Sequence, residues 1–483
     1  MSVQVDPGDT QLRRNAIGAR HIVFFVVAAA APLGFAVGAI PLAIGRGGIG
    51  VSGMFLVVGA ILLVFAVGYV AMAKHVRRAG GLYVYVSEGL GQTMGLGTAF
   101  VATAAYAVAA TGAVGIFAVL AQSVFLEFFL IETPWVLWAL IATLLMGLLG
   151  VLRVELNARV LGVVMVCDVA ILLVIGAVIV ISGGAEGLSL SSFSPAEVFG
   201  VNPGVLLAVV ISAFAGFEAT VLYVEEVRSP ERSIPRATYG AIIVLVAFYA
   251  FVSWAVIQAF GNAGAVEIAA SDPVGMFFAA ADGFLGLWAV ALLGVLVVTS
   301  WFASILAFHN ATTRYLFALG RDQAIPRKFA SLSPKFGSPM FASLTHTAFT
   351  LIIVLAFALA GADPYLDLYV LGSTPAVVAI PVMECLAAAA IVAYFARDRR
   401  GMSVWRVIVA PTASGLALLL VTFLIITQLD IFTTRGAAVN AALVGVVFLA
   451  LIAGVVRALW LKQRNPAVYV ELGRPSGAED AAS

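Results

Sequence analysis

The chain reads as an all-α integral membrane protein of twelve transmembrane helices, and three observations carry that reading. Its 483 residues are 63% hydrophobic and 11% charged, with a mean hydropathy of +1.10; soluble domains are roughly 45–50% apolar and about 25% charged. Apolar runs of about 20 residues, the length that crosses a hydrocarbon core of ~30 Å, recur along the whole chain. Finally, Lys and Arg fall almost entirely on alternate connections between those runs. Backbone groups cannot stay unsatisfied in lipid, and the runs are too long for tilted barrel strands, so the spans are helices.

Taken in order, the expected spans are 22–45, 52–73, 95–125, 134–152, 158–182, 203–226, 237–260, 284–311, 340–360, 366–395, 404–428 and 437–461. Each boundary carries a margin of about 2–4 residues. Sorting the connections by side puts 24 of the 26 basic residues together and leaves Arg46 and Arg435 opposite. The positive-inside rule makes the crowded side cytoplasmic and places both termini there. A polar tail (1–20) precedes the twelve-helix block 21–461, and a short polar tail (462–483) follows it. The first tail lacks an apolar core with a small-residue cleavage site and does not read as a removable signal peptide. Arg outnumbers Lys and Ala is abundant, which points to a GC-rich bacterial genome and a plasma membrane.

Several function classes drop out. A net charge of +1 offers no case for nucleic acid. The two cysteines, Cys167 and Cys385, lie inside apolar runs and suggest neither a disulfide nor a metal site. The G-x-G-x-x-G match at residues 45–50 follows a membrane helix where a dinucleotide site needs a strand. The sequon at 310–312 falls on the cytoplasmic side. No P-loop, H-E-x-x-H or nucleophile elbow is present, so the chain reads as a non-enzyme without a cofactor.

Two spans are irregular in a corresponding way. The first carries Pro32, Gly34, Gly38 and Pro41, and the sixth carries Gly216 and Glu218 in AFAGFEAT. Breaks five helices apart point to two inverted repeats whose unwound backbone builds a site near mid-membrane. Taken alone, each glycine reads as a place of close helix packing.

Three stretches then become specific. GFEATVLYVEEVRSPERSIPRA (216–237), GGLYVYVSEGLG (80–91) and TTRYLFALGRDQAIP (312–326) resemble, in that order, signatures of the amino acid–polyamine–organocation (APC) permeases. Gln323 stands where the third signature usually has glycine. The resemblance covers about residues 20–460. It implies a 5+5 inverted-repeat (LeuT-like) fold plus two C-terminal helices, with a first repeat at about 22–182, a second at about 203–395 and extra helices at about 404–461. It implies secondary transport of an amino acid or related amine as the small-molecule substrate.

The candidate site follows from what an amino acid brings into a bilayer, an ammonium and a carboxylate that are costly to bury without partners. Backbone N–H groups of Leu33, Gly34, Phe35 and Ala36, at the positive end of a helix, are expected to receive the carboxylate; carbonyls around Ser212, Ala213 and Ala215, beside Gly216 and Phe217, are expected to receive the ammonium. Matching the third-helix signature places Tyr106 beside this pocket; its bland reading is an interior aromatic. Glu218, ten residues before Arg228, and Asp168, nine after Arg159, lie roughly 15 Å and 13 Å along their helices, near mid-bilayer. Intramembrane carboxylates default to an ion or proton role, and Glu384 is a secondary candidate. Several APC permeases that run without sodium carry Lys where this chain has Asp168. A carboxylate there can bind a proton, a metal cation or a basic substrate's amino group. Proton coupling is the leading expectation; sodium, with Ser300 and Ser304 as oxygen donors, is the other. Glu225 and Glu226 with Arg228 read as a cytoplasmic gate or as a solvated helix end, and His309 as a packing residue. A channel or substrate sensor on the same scaffold is the alternative from a different class.

Overall fold

The computed structural model describes residues 23, 27, 30–76, 81–152, 158–217 and 230–472. These residues are helical, and no strand occurs among them. The helices are α1 (Pro32–Gly47), α2 (Val51–Ala73), α3 (Leu82–Leu90), α4 (Gln92–Phe129), α5 (Trp135–Leu152), α6 (Ala158–Ile181), α7 (Pro203–Ser212) and α8 (Pro230–Ser271). They continue as α9 (Met276–Leu285), α10 (Leu287–Arg321), α11 (Met340–Leu359), α12 (Pro364–Arg397), α13 (Trp405–Thr427), α14 (Leu429–Thr433), α15 (Ala437–Arg464) and α16 (Pro466–Glu471). Among the described residues, ten helices are long and apolar enough to cross a membrane. The first and sixth expected spans are represented instead by α1 and α7, apolar helices of 16 and 10 residues.

Both short helices have local causes. α1 starts at Pro32, whose fixed φ suits the first helical turn and whose missing N–H leaves no orphan donor. Ala31, just before it, sits in the left-handed region at φ 43°, so the chain turns sharply into the helix. α7 likewise opens on a proline, and the Gln428 side chain accepts the Gly204 N–H at 2.7 Å. It ends at Ser212 in a run of tight turns through 213–216 that leads to Gly216 at φ 101°, a conformation that favours glycine. α8 is two helices joined at Gly261, where φ is 73°. α12 begins with wide π-helical turns over Pro364–Leu371, capped by the Asp363 carboxylate, which accepts from Tyr365 N and Leu366 N.

Packing sorts the helices into an inner and an outer set. The most apolar windows of α4 and α12 are 67% buried, against 17% for α15, whose Leu449, Ile452 and Val456 face outward as lipid-facing side chains would. Even α15 approaches an inner helix closely through small residues: a Cβ added at Gly454 would stand 2.7 Å from Gly97 Cα of α4. Two of the signature stretches meet at one end of the bundle. Tyr83 of α3 donates to Asp322 at 3.3 Å, Arg457 of α15 donates to Ala324 O at 2.7 Å, and Arg397 of α12 donates to Gly89 O at 2.9 Å. Gln323 adopts φ 56° in this corner, the left-handed backbone for which glycine is the easy residue.

Candidate functional site

A cavity of about 100 Å³ lies where α1, α4, α7, α10 and α12 converge. That is room for several waters or a small solute. Ala30, Ala31 and Phe35 line it from the start of α1, and Ser212 and Ala215 line it from the end of α7. The N-terminal end of one helix and the C-terminal end of another therefore border the same space, bringing partial charges of opposite sign to it. Tyr106 lies on the wall supplied by α4, with its ring stacked on Tyr315 at 5.8 Å and on Phe308 at 6.1 Å.

The peptide groups around the α1 start are largely engaged within the chain. Gly34 N–H donates to Ser300 Oγ of α10 at 3.2 Å, Phe35 N–H donates to Ala31 O at 2.9 Å, and the Tyr249 hydroxyl of α8 donates to Ala30 O at 3.3 Å. Two of the four N–H groups expected to meet a carboxylate, those of Gly34 and Phe35, thus already have acceptors. Leu33, Gly34, Ala36, Ala213, Gly216 and Phe217 do not line the cavity; Leu33, Ala36, Ala213 and Phe217 are buried in the packing behind it. Phe217 stands against Phe65 and Tyr69 of α2. A Cβ at Gly34 would meet the Trp301 indole at 3.1 Å, so the glycine serves the approach of that ring rather than open space.

Asp168 of α6 joins this construction from the far side. It is buried at 3% exposure, its carboxyl group lies beside the Ser300 hydroxyl, and its Oδ1 has no hydrogen-bond partner. Ser300 therefore links the Asp168 carboxyl group to the Gly34 N–H at the start of α1. Ser304, one turn on, lines the cavity itself. Glu384 is buried in α12 next to Met383, a lining residue. Glu218, Glu225, Glu226 and Arg228 lie outside the described residues.

Much of the wall comes from residues that sequence reasoning did not single out. Trp301 and Phe308 of α10 and Tyr369, Ser373 and Ile380 of α12 all line the cavity. Trp301 and Tyr369 meet edge to face at 5.6 Å, and the Tyr365 hydroxyl donates to Gly38 O at 2.9 Å, tying α12 to α1. Pro375 and Pro381 were the available signal for α12, because prolines inside a span mark irregular backbone. Phe432 of α14 closes one end of the cavity. Arg46 donates to Phe432 O, and Arg435 pairs with Asp367 at the start of α12. The two basic residues that stand apart from the other 24 thus both hold this corner.

His309 is not a solitary packing histidine. Its Nδ1 lies 2.8 Å from Nδ1 of His346 on α11, and its Nε2 lies 2.9 Å from Ser343 Oγ. The partner histidine carried no motif and was missed.

The sequence model of the amino acid permease family matches residues 20–455. The chain belongs to this family. Among relatives, an uncharacterised transporter of Mycobacterium tuberculosis is 31% identical over 180 residues, 36% of this chain and 39% of the relative. The vacuolar cationic amino acid transporter 4 of Arabidopsis thaliana is 29% identical over 199 residues, 40% of this chain and 30% of the relative. The methylthioribose transporter of Bacillus subtilis is 31% identical over 153 residues, 31% of each chain. The chain thus spans less than two-fifths of the length of these relatives. The family match takes in every helix that borders the cavity.

Proposed function

We propose that this amino acid permease is a secondary transporter that moves an amino acid or related amine across the plasma membrane by alternating access. Twelve spans in a 5+5 inverted repeat with two extra helices would carry it, both termini cytoplasmic. One observation supports the reading above the others: the start of α1 and the end of α7 border a single buried cavity. A zwitterion needs a positive and a negative pole within one small molecule's length. Two opposed helix ends provide them without placing full charges in the bilayer. A relative named for an amino acid and one named for a thio-sugar both fit the broad class of small polar solutes.

The coupling ion in this reading is a proton, exchanged at Asp168 in symport or in proton-linked exchange. Ser300 supports this assignment, because it bridges the carboxyl group to the α1 start: a change of charge at Asp168 would be felt where the substrate's carboxylate sits. Glu218 is the second coupling candidate, and Glu225, Glu226 and Arg228 form the proposed cytoplasmic gate.

Purified protein reconstituted in proteoliposomes tests the reading with radiolabelled amino acids and polyamines. A transporter gives saturable uptake that unlabelled substrate inside the vesicle accelerates. Flux without saturation or acceleration would identify a channel, and binding without flux would identify a sensor. Accumulation driven by an imposed sodium gradient, and not by a pH gradient, would replace the proton with sodium.

A further inference from the structure

Resting on that transport reading, we propose that the substrate is a neutral amino acid with a bulky apolar side chain, and that the cavity selects against the cationic class named for the plant relatives. The argument starts from what the wall offers beyond the two helix ends. Tyr106, Phe308, Val377, Ile380 and Met383 supply rings, branched chains and a thioether. No charged side chain lines the cavity among the described residues. The polar side chains there are hydroxyls and one indole N–H, which orient a ligand without neutralising a formal charge.

A lysine or arginine side chain in this space would bring a second cation, and among the described residues the wall offers no anion to meet it. Burying such a charge without a partner is very costly. Asp168 of α6 stands beside Ser300 of α10 and is not on the wall; Glu384, buried next to Met383 in the chain, is not on it either. An apolar side chain meets the opposite situation, because the rings, branched chains and thioether of the wall are surface that water serves poorly.

Size is set by a second feature. Ala105, Ala109 and Ala113 recur at four-residue intervals on α4 and present one small-residue face to the cavity. The rest of the wall carries aromatic rings on α10 and branched residues on α12, so the room beside these alanines is left for a substrate side chain. A small substrate such as alanine would leave it unfilled, whereas leucine or phenylalanine would fill it.

The Trp301 indole adds an independent mark of a ligand. This side chain is 5% exposed and lines the cavity, and its Nε1 is buried with no hydrogen-bond partner. A carboxylate oxygen is the strong acceptor that every neutral amino acid carries, and the ring lies against Gly34 and Gly38 at the helix end where the carboxylate is expected.

The test measures counterflow and ligand-induced thermal stabilisation of the purified full chain with leucine, phenylalanine, alanine, lysine and arginine. Leucine or phenylalanine should bind and exchange at least about tenfold better than alanine, with lysine and arginine ineffective. Ala109→Leu should raise the leucine or phenylalanine KM by about tenfold and leave that of alanine within about threefold. Preference for lysine or arginine, or for alanine over leucine, would overturn the substrate class while leaving transport intact. Stabilisation by leucine without any exchange would overturn transport and keep the class. No stabilisation and no flux with any of the five would remove both.

Discussion

Two buried polar groups flank α10, and they are built in opposite ways. On one side, the imidazoles of His309 and His346 stack at a centroid distance of 4.9 Å, and every ring nitrogen has a neighbour. His346 Nε2 faces Ala107 O at 3.4 Å and must donate to it, so its Nδ1 accepts from His309 Nδ1 at 2.8 Å, and His309 Nε2 accepts from Ser343 Oγ at 2.9 Å. One tautomer assignment with both rings neutral satisfies the whole set. Gly150 of α5 has no room for a Cβ beside the His309 ring, so four helices close around the pair. On the other side of α10, Asp168 keeps one carboxyl oxygen without a partner, and Trp301 keeps its indole N–H without an acceptor. Complete satisfaction makes a rigid joint, because any change of state would break a hydrogen bond in a medium that offers no replacement. An open valence in the same medium is a cost that a proton, an ion or a substrate can remove.

The largest effect that follows is at Asp168. Asp168→Asn keeps the shape and loses the exchangeable proton, so accumulation driven by a pH gradient should disappear while counterflow persists; uptake into vesicles with and without the gradient reads both. Unchanged accumulation in this variant would move coupling to Glu218. Loss of folded protein would mean that the open carboxyl oxygen belongs to the scaffold after all.

On the closed side the expectation reverses. His309→Ala should lower stability by about 1–3 kcal/mol, because it leaves His346 and Ser343 without partners, and should spare the substrate KM of the protein that survives. Melting in detergent checks this, and the His309→Ala, His346→Ala double variant should cost less than the two singles added together. A selective change in the pH dependence of uptake, with melting unaltered, would show that the pair carries protons and would dissolve the contrast.

Trp301→Phe separates the two kinds of group more finely. Removing a donor that has no acceptor costs the substrate-free protein ring packing but no hydrogen bond, and should weaken substrate affinity by about five- to tenfold, the worth of roughly one hydrogen bond. Unchanged substrate affinity in this variant would mean that the N–H does not meet the substrate. The smallest effect is expected for Ser300→Ala, about 1 kcal/mol, through the Gly34 N–H that loses its acceptor. Ser300→Thr, which keeps a hydroxyl, should recover most of it.

The membrane class of the chain and the places of ten long apolar helices were legible because hydrophobic length is a property of consecutive residues and needs no tertiary context. Irregular backbone near Pro32 and Gly216 was legible too, since proline and glycine are the residues that disturb a helix, although the turn falls at Ala31, before the expected stretch Pro32 to Ala36, which is helical. Phe35, Tyr106, Ser212 and Ala215 could be named from the two breaks and the third-helix signature, and all four border the cavity. Leu33, Gly34, Ala36, Ala213, Gly216 and Phe217 lie in the same two segments but not on the wall. Position along a broken helix does not say which way each residue faces once the turns tighten.

What only the tertiary structure decided is which helix faces meet. A span that is apolar all round gives no sign of whether a face looks at lipid, at a neighbour or into a cavity, because all three accept the same side chains. That is why Trp301, Phe308, Tyr369 and Ile380 were silent in the sequence and become one wall in the fold. It is also why Ser300 and Gly34, or His309 and His346, meet across 266 and 37 residues without any motif to join them. Sequence alone determined which stretches are long and apolar enough to cross a bilayer and where proline and glycine weaken them; the packing of the helices decided which buried polar groups are closed against each other and which are left open to a ligand.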